Sequence, residues 1–193
     1  MHRITRFVTL VTALVLIASS AGMVAANGRY AHATSKPALT GEVPSTLTPP
    51  DDAIFLFELA AQGVQIYACE ATPEDSSTFA WTFKAPEAEL RNARNEVVGT
   101  HFAGPTWQGN DSGAVVAAVA ERADAPSKDA IPWLLLEAKS HTGSGAFSTI
   151  TYIQRLDTLG GIAPATGCDE AHANAESRVA YEATYAFYYP AAS

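Results

Sequence analysis

From Gly99 to Gln108 the chain reads Gly-Thr-His-Phe-Ala-Gly-Pro-Thr-Trp-Gln, where backbone-bending residues, an ionisable ring and a large aromatic crowd together. Gly99, Gly104 and Pro105 impose particular backbone geometry. His101, Thr106, Trp107 and Gln108 add a titratable group, a hydroxyl, a flat apolar face and an amide. An imidazole in such a setting could act as a general acid, a general base or a ligand. Its plainer role is that of a hydrogen-bonded structural ring.

Aromatic residues elsewhere extend the possibilities. Tyr67, Trp107, Trp133, Tyr152 and Tyr185 could form a stacking platform for a sugar or another flat ligand, with Gln108, Gln154 and Arg155 as hydrogen-bonding partners. Core packing is the alternative for each. Arg155 and Asp157 stand two apart on an expected strand and could pair on one face. Carboxylate pairs such as Glu87 with Glu89, or Asp51 with Asp52, fall in turn-like contexts and read as solvated. No Gly-x-Ser-x-Gly elbow, Ser-x-x-Lys, Cys-x-x-Cys or His-Glu-x-x-His occurs, so the expectation is no metal and no cofactor.

The elements that must position these groups are short. Ile54–Phe57 and Val64–Cys69 read as two strands interrupted at Gly63. Phe79, Trp81 and Phe83 put three rings on one face of a further strand, expected to point inward. Ala85–Leu90 carries a proline and early acids, which suggests one helical turn. Ala114–Ala120 favours a strand over a short helix, and Ile131–Lys139 a central strand starting at Pro132. His141–Gly145 reads as a turn into a strand over Phe147–Arg155, the pair forming a hairpin. Leu159–Pro164 reads as a loop, and Asp169–Glu176 could hold a helical turn. Val179–Tyr189 alternates most clearly. Eight or nine short strands without a long helix predict a mainly β protein, an antiparallel β-sandwich or barrel with one or two very short helices.

The amino terminus frames this domain. Arg3 and Arg6 precede an apolar run over Val8–Ala18 and a small-residue pattern at Val24-Ala-Ala26, so residues 1–26 read as a secretory signal peptide. Cleavage after Ala33 and an uncleaved anchor are the alternatives. Residues 27–50, with four prolines and many Ser and Thr, read as an extended or partly disordered lead-in, and residues 51–193 as a single β domain. The protein is acidic, with 12 basic and 20 acidic residues. Removing the signal would take two arginines and no acid. No basic cluster favours nucleic acid or anionic lipid, and no integral membrane segment is expected after signal removal. Export would place Cys69 and Cys168, the two cysteines of the chain, in an oxidising compartment, and a disulfide between them is expected.

The stretches Gly63–Cys69, Ala85–Leu90, Gly99–Gln108, Ile131–Leu136, Thr151–Thr158, Gly160-Gly161 with Ala163-Pro164, and Cys168-Asp169 together resemble a family catalogued as domain of unknown function 3455, found in secreted bacterial and fungal proteins. The resemblance covers about Val43 to Tyr188. It differs at Asp111-Ser-Gly113, where the family has Asp-Gly-Ser, and at Ala180, where the family has proline. It implies export and one mostly β domain, with no activity to carry over residue by residue. Some fungal relatives bear a malate dehydrogenase label, which does not fit here. A dinucleotide fingerprint needs three glycines between a strand and a helix, and Gly143-Ser-Gly145 lacks the third.

The leading expectation is thus an extracytoplasmic protein, secreted, periplasmic or on the cell surface. It would bind a small molecule, glycan or envelope component through candidate residues Tyr67, His101, Trp107, Gln108 and Arg155. A secreted hydrolase using His101 as acid or base, and a structural or interaction protein without a pocket, are the competing readings.

Overall fold

The computed structural model describes residues 42–191; the expected signal peptide lies outside them, as does most of the lead-in. Eight antiparallel strands follow one another around a closed barrel: β1 (Ala53–Ala71), β2 (Phe79–Arg91), β3 (Val97–Phe102), β4 (Thr106–Gly109), β5 (Ala114–Ala123), β6 (Trp133–Thr142), β7 (Tyr152–Gly160) and β8 (Glu176–Pro190). β1 pairs with both β2 and β8 and so closes the ring. Of the two architectures expected, this is the barrel. Three short 3-10 turns, at Ser45–Leu47, Ala146–Thr149 and Glu170–His172, accompany the strands.

Alternation decides which residues fill the interior. Phe57, Leu59 and Ala61 of β1, Ala88 and Leu90 of β2, and Tyr181, Ala183, Tyr185 and Phe187 of β8 are all buried in one cluster with Trp107 and Leu136. Phe57, Phe147 and Phe187 pack ring on ring at one end, with centroids 5.0 to 5.8 Å apart. They close that end, where the β2–β3, β4–β5 and β6–β7 connections lie.

Several local expectations are corrected by this register. The two strands expected on either side of Gly63 are one continuous strand. A Cβ on Gly63 would stand 2.1 Å from the Glu87 carbonyl oxygen and 2.5 Å from the Ala88 Cα, so the glycine marks a close backbone approach rather than a break. Ala85–Leu90 is strand, not helix. Ala88 and Leu90 face the core while Glu87 and Glu89 are exposed, a period of two that outweighs the proline signal. Pro86 sits opposite Gln65, beside a register irregularity at Ile66/Tyr67 where a missing donor is tolerated. The strand expected from Phe147 begins only at Tyr152; Ala146–Thr149 is a 3-10 turn that drives Phe147 into the barrel. Leu159 and Gly160, expected in a loop, end β7.

Outside the barrel a second cluster forms. Leu47, within the 3-10 turn before β1, is fully buried against Trp133, Leu135 and Leu156 on the outer face of β6 and β7. Its carbonyl accepts a hydrogen bond from Gln154 Nε2 at 2.6 Å, and Gln154 Oε1 accepts one from the Tyr188 hydroxyl. The run of apolar residues on both faces of β6 is explained by this strap: Leu134 and Leu136 face the interior, Trp133 and Leu135 the strap. At the end opposite the phenylalanine plug, the Cys69–Cys168 disulfide ties β1 to the β7–β8 connection.

Candidate functional site

The Gly99 block is a hairpin. β3 and β4 pair with His101 opposite Trp107, and the connection between them is Ala103, Gly104 and Pro105, with Gly104 at φ 90°. Both rings point into the barrel. They stack with centroids 4.2 Å apart and planes 14° from parallel, and Tyr185 meets each edge-on at 5.1 and 5.2 Å. Cross-strand pairing at opposed positions brings these side chains together.

His101 is 3% exposed, and its Nδ1 lies 2.8 Å from the Thr106 carbonyl oxygen. A carbonyl can only accept, so Nδ1 carries the proton and Nε2 the lone pair. Burial lowers the imidazole pKa to about 3; the Thr106 carbonyl opposes the shift and the Arg155 charge adds to it. The ring is therefore neutral throughout the physiological range.

Around this stack the barrel encloses a cavity of about 540 Å³ at the end away from the phenylalanine plug. Tyr67, Trp107, Tyr185, Ile131, Leu134 and Leu136 make its wall largely apolar, and Phe83 and Val119, 48% and 52% exposed, stand at its mouth. Phe83 packs edge-on against Tyr67 at 5.7 Å. The three rings of early β2 do share a face, as expected, but at the open end, where they are only partly covered. Trp81 there donates to the Thr166 carbonyl at 3.0 Å.

The polar groups of the cavity come from opposite walls. Tyr67 donates from its hydroxyl to the Gly161 carbonyl at 2.6 Å. Arg155 lies opposite Leu134 on β6 and Tyr185 on β8. It donates through Nε and Nη2 to the Pro132 carbonyl at 3.1 and 2.8 Å. The β7–β8 register shifts between Leu156 and Leu159, and Asp157 takes φ 48°, so Arg155 and Asp157, considered as a pair on one face, do not follow simple alternation. Gln65 Nε2, Trp107 Nε1 and the Tyr181 and Tyr185 hydroxyls are buried without a partner at hydrogen-bond geometry. They are nevertheless near enough to influence one another. Burial raises the Tyr181 and Tyr185 pKa values, and the Arg155 charge opposes both shifts.

Four of the five ligand-binding candidates, Tyr67, His101, Trp107 and Arg155, line this one cavity. Gln108 does not: it follows the inward Trp107 on β4 and is exposed on the opposite face. Trp133 belongs to the outer cluster and Tyr152 packs against it, while Gln154 is engaged with the strap. His141 and His172 bond locally, to the Ile150 carbonyl and to Asp169, away from His101. Among the described residues no group of three or more His, Cys, Asp or Glu could hold a metal ion. Sequence reasoning passed over Gln65, Lys84 and Arg122 and read Phe83 only as an inward core ring; all four line the cavity. Gln65 had left a signal, a polar residue at an inward position of an otherwise alternating strand; Lys84 and Arg122 looked like ordinary surface charges.

No helix of the described residues is long and apolar enough to cross a membrane. Neither the curated proteins nor the solved structures contain a match to this chain. The family model described as "Protein of unknown function (DUF3455)" matches residues 49–189, nearly the whole barrel, and the chain belongs to that family.

Proposed function

We propose that this protein is an extracytoplasmic binding protein that holds one small molecule in the open end of its barrel. The observation that carries the reading is the asymmetry of the interior. One end is filled by Phe57, Phe147 and Phe187, whereas the other leaves about 540 Å³ walled by aromatic and aliphatic side chains with a few polar groups among them. Eight-stranded barrels have interiors just large enough to be packed solid or to hold one ligand, and a largely apolar concavity with a few placed polar groups is the usual form of a ligand site. Export through the amino-terminal signal would agree with the Cys69–Cys168 disulfide.

A hydrolase built on His101 finds less support. The ring is neutral, a weak base and locked to Thr106, and no serine, cysteine or carboxylate is among the cavity-lining residues.

The test uses two fluorescent probes with similar ring systems, neutral phenylnaphthylamine and anionic anilinonaphthalene sulfonate, with Val119→Trp as a variant that narrows the mouth at an exposed position. At least one probe should bind the wild type at one site and raise its melting midpoint, and Val119→Trp should weaken that binding severalfold or more. If neither probe binds, or if Val119→Trp leaves binding untouched, the cavity is not the site.

A further inference from the structure

The charge of the cavity is at odds with that of the chain. The protein carries a formal net charge of −8, yet the charged residues lining the cavity are Lys84, Arg122 and Arg155, with no Asp or Glu. Lys84 is compensated by Glu70, 2.5 Å away. Arg122 and Arg155 form no ion pair with a described residue. Arg122 and Arg155 both lie opposite Leu134, on β5 and β7, so the two guanidinium side chains flank one inward residue of β6.

Nε and Nη2 of Arg155 share the Pro132 carbonyl, and the Tyr185 hydroxyl lies against the same side chain, so the guanidinium meets neutral oxygens and no cavity-lining carboxylate. The wall beside it adds donors of the same sense. Trp107 Nε1 can only donate, Gln65 presents its amide nitrogen, and the Tyr185 hydroxyl can donate; none has a partner at hydrogen-bond geometry. Partly buried cations and unpaired donors are costly unless acceptors or negative charge meet them. The rest of the wall, including Tyr67, Phe83, Leu134 and Ile131, is flat or aliphatic.

We infer that the molecule held in this barrel is a small organic anion with a planar or aliphatic body, such as a carboxylate or sulfonate, its anionic group seated at Arg155 with Arg122 at the entrance and its body against Tyr67 and Phe83. This rests on the cavity being the binding site. Guanidinium is suited to such groups because its planar fork matches two oxygens, and the surrounding apolar wall limits the screening of the charge.

The experiment titrates anilinonaphthalene sulfonate and phenylnaphthylamine into the wild type, Arg155→Gln and Arg122→Gln. Arg155→Gln should weaken the sulfonate about tenfold or more and the amine by less than twofold, in line with a charge-assisted hydrogen bond. Arg122→Gln, at an exposed position, should weaken the sulfonate severalfold and spare the amine. If the wild type binds the amine but not the sulfonate, the cavity reading stands and the anion inference is overturned. Equal effects of the arginine variants on both probes, or no effect on either, would overturn it as well. If neither probe binds the wild type, both readings fall together.

Discussion

Lowering the pH from 7 to 5 should destabilise this protein through His101, and replacing that residue by glutamine should remove this part of the pH dependence. The folded imidazole has a pKa of about 3 because burial disfavours its charged form, whereas an imidazole in the unfolded chain titrates near 6.5, its ordinary value. Between those values the unfolded chain binds a proton that the folded chain refuses. Stability therefore rises with pH across this window and is lost as pH falls below the unfolded value. Each full pH unit inside the window is worth about 1.4 kcal/mol. Because the first half unit below pH 7 lies above the unfolded pKa, the loss between pH 7 and pH 5 comes to about 2 kcal/mol, roughly a thirtyfold change in the unfolding equilibrium. Glutamine does not titrate and keeps an N–H for the Thr106 carbonyl. Urea unfolding of both proteins at the two pH values gives the quantity needed, the pH-induced change in the wild type minus that in the variant, from which groups common to both cancel. A difference near zero would mean that the ring is not buried in neutral form, and the description of the stack with Trp107 would be wrong.

Three further outcomes follow from the packing. Gly63→Ala should cost about 1 to 3 kcal/mol, since the new methyl would meet the backbone of Glu87 and Ala88; an unchanged urea midpoint would show that β1 and β2 are not in this register. Leu47→Ala should cost about 2 to 5 kcal/mol because Leu47 is fully buried under the strap, and a loss below half a kcal/mol would mean that the strap does not pack on β6 and β7 in solution. Cys69→Ser together with Cys168→Ser opens a link between residues 99 apart; the chain-entropy account gives a cost of up to about 4.7 kcal/mol, read as a lower melting midpoint that reductant no longer changes. A midpoint equal to that of the oxidised wild type would refute the stabilising role.

The class of fold was legible because its cause is local. Alternation over Val64–Cys69 and Val179–Tyr189 reports which side chains face inward, and turn residues punctuate the strands. Where two local signals disagreed, reading was less secure. At Ala85–Leu90 a proline and early acids suggested a helix, and pairing with β1 and β3 imposed strand. At Gly63 a residue that often breaks a strand instead permits two backbones to touch. Phe147 carries a β-favouring side chain, but the need to close the barrel end places it on a 3-10 turn.

The candidate site was legible in part for the same reason. Tyr67, His101 and Trp107 stand at inward positions, and special backbone residues surround the last two. Gln108 differs from Trp107 by one position, and in a strand that single step carries it to the other face.

Sequence alone thus determined the β character of the chain, the cysteine pair available for a bridge, the acidity of the whole and the crowding of special-backbone and polar residues at Gly99–Gln108, all properties of composition or of neighbours a few residues apart. Tertiary structure decided that the sheet closes into a barrel, that one end is plugged by phenylalanines while the other encloses a cavity, and that Arg155 and Arg122 are among the residues lining that cavity while no Asp or Glu is. Those features depend on register between strands far apart in the chain, and no local pattern of residue types encodes which distant side chains will share one interior.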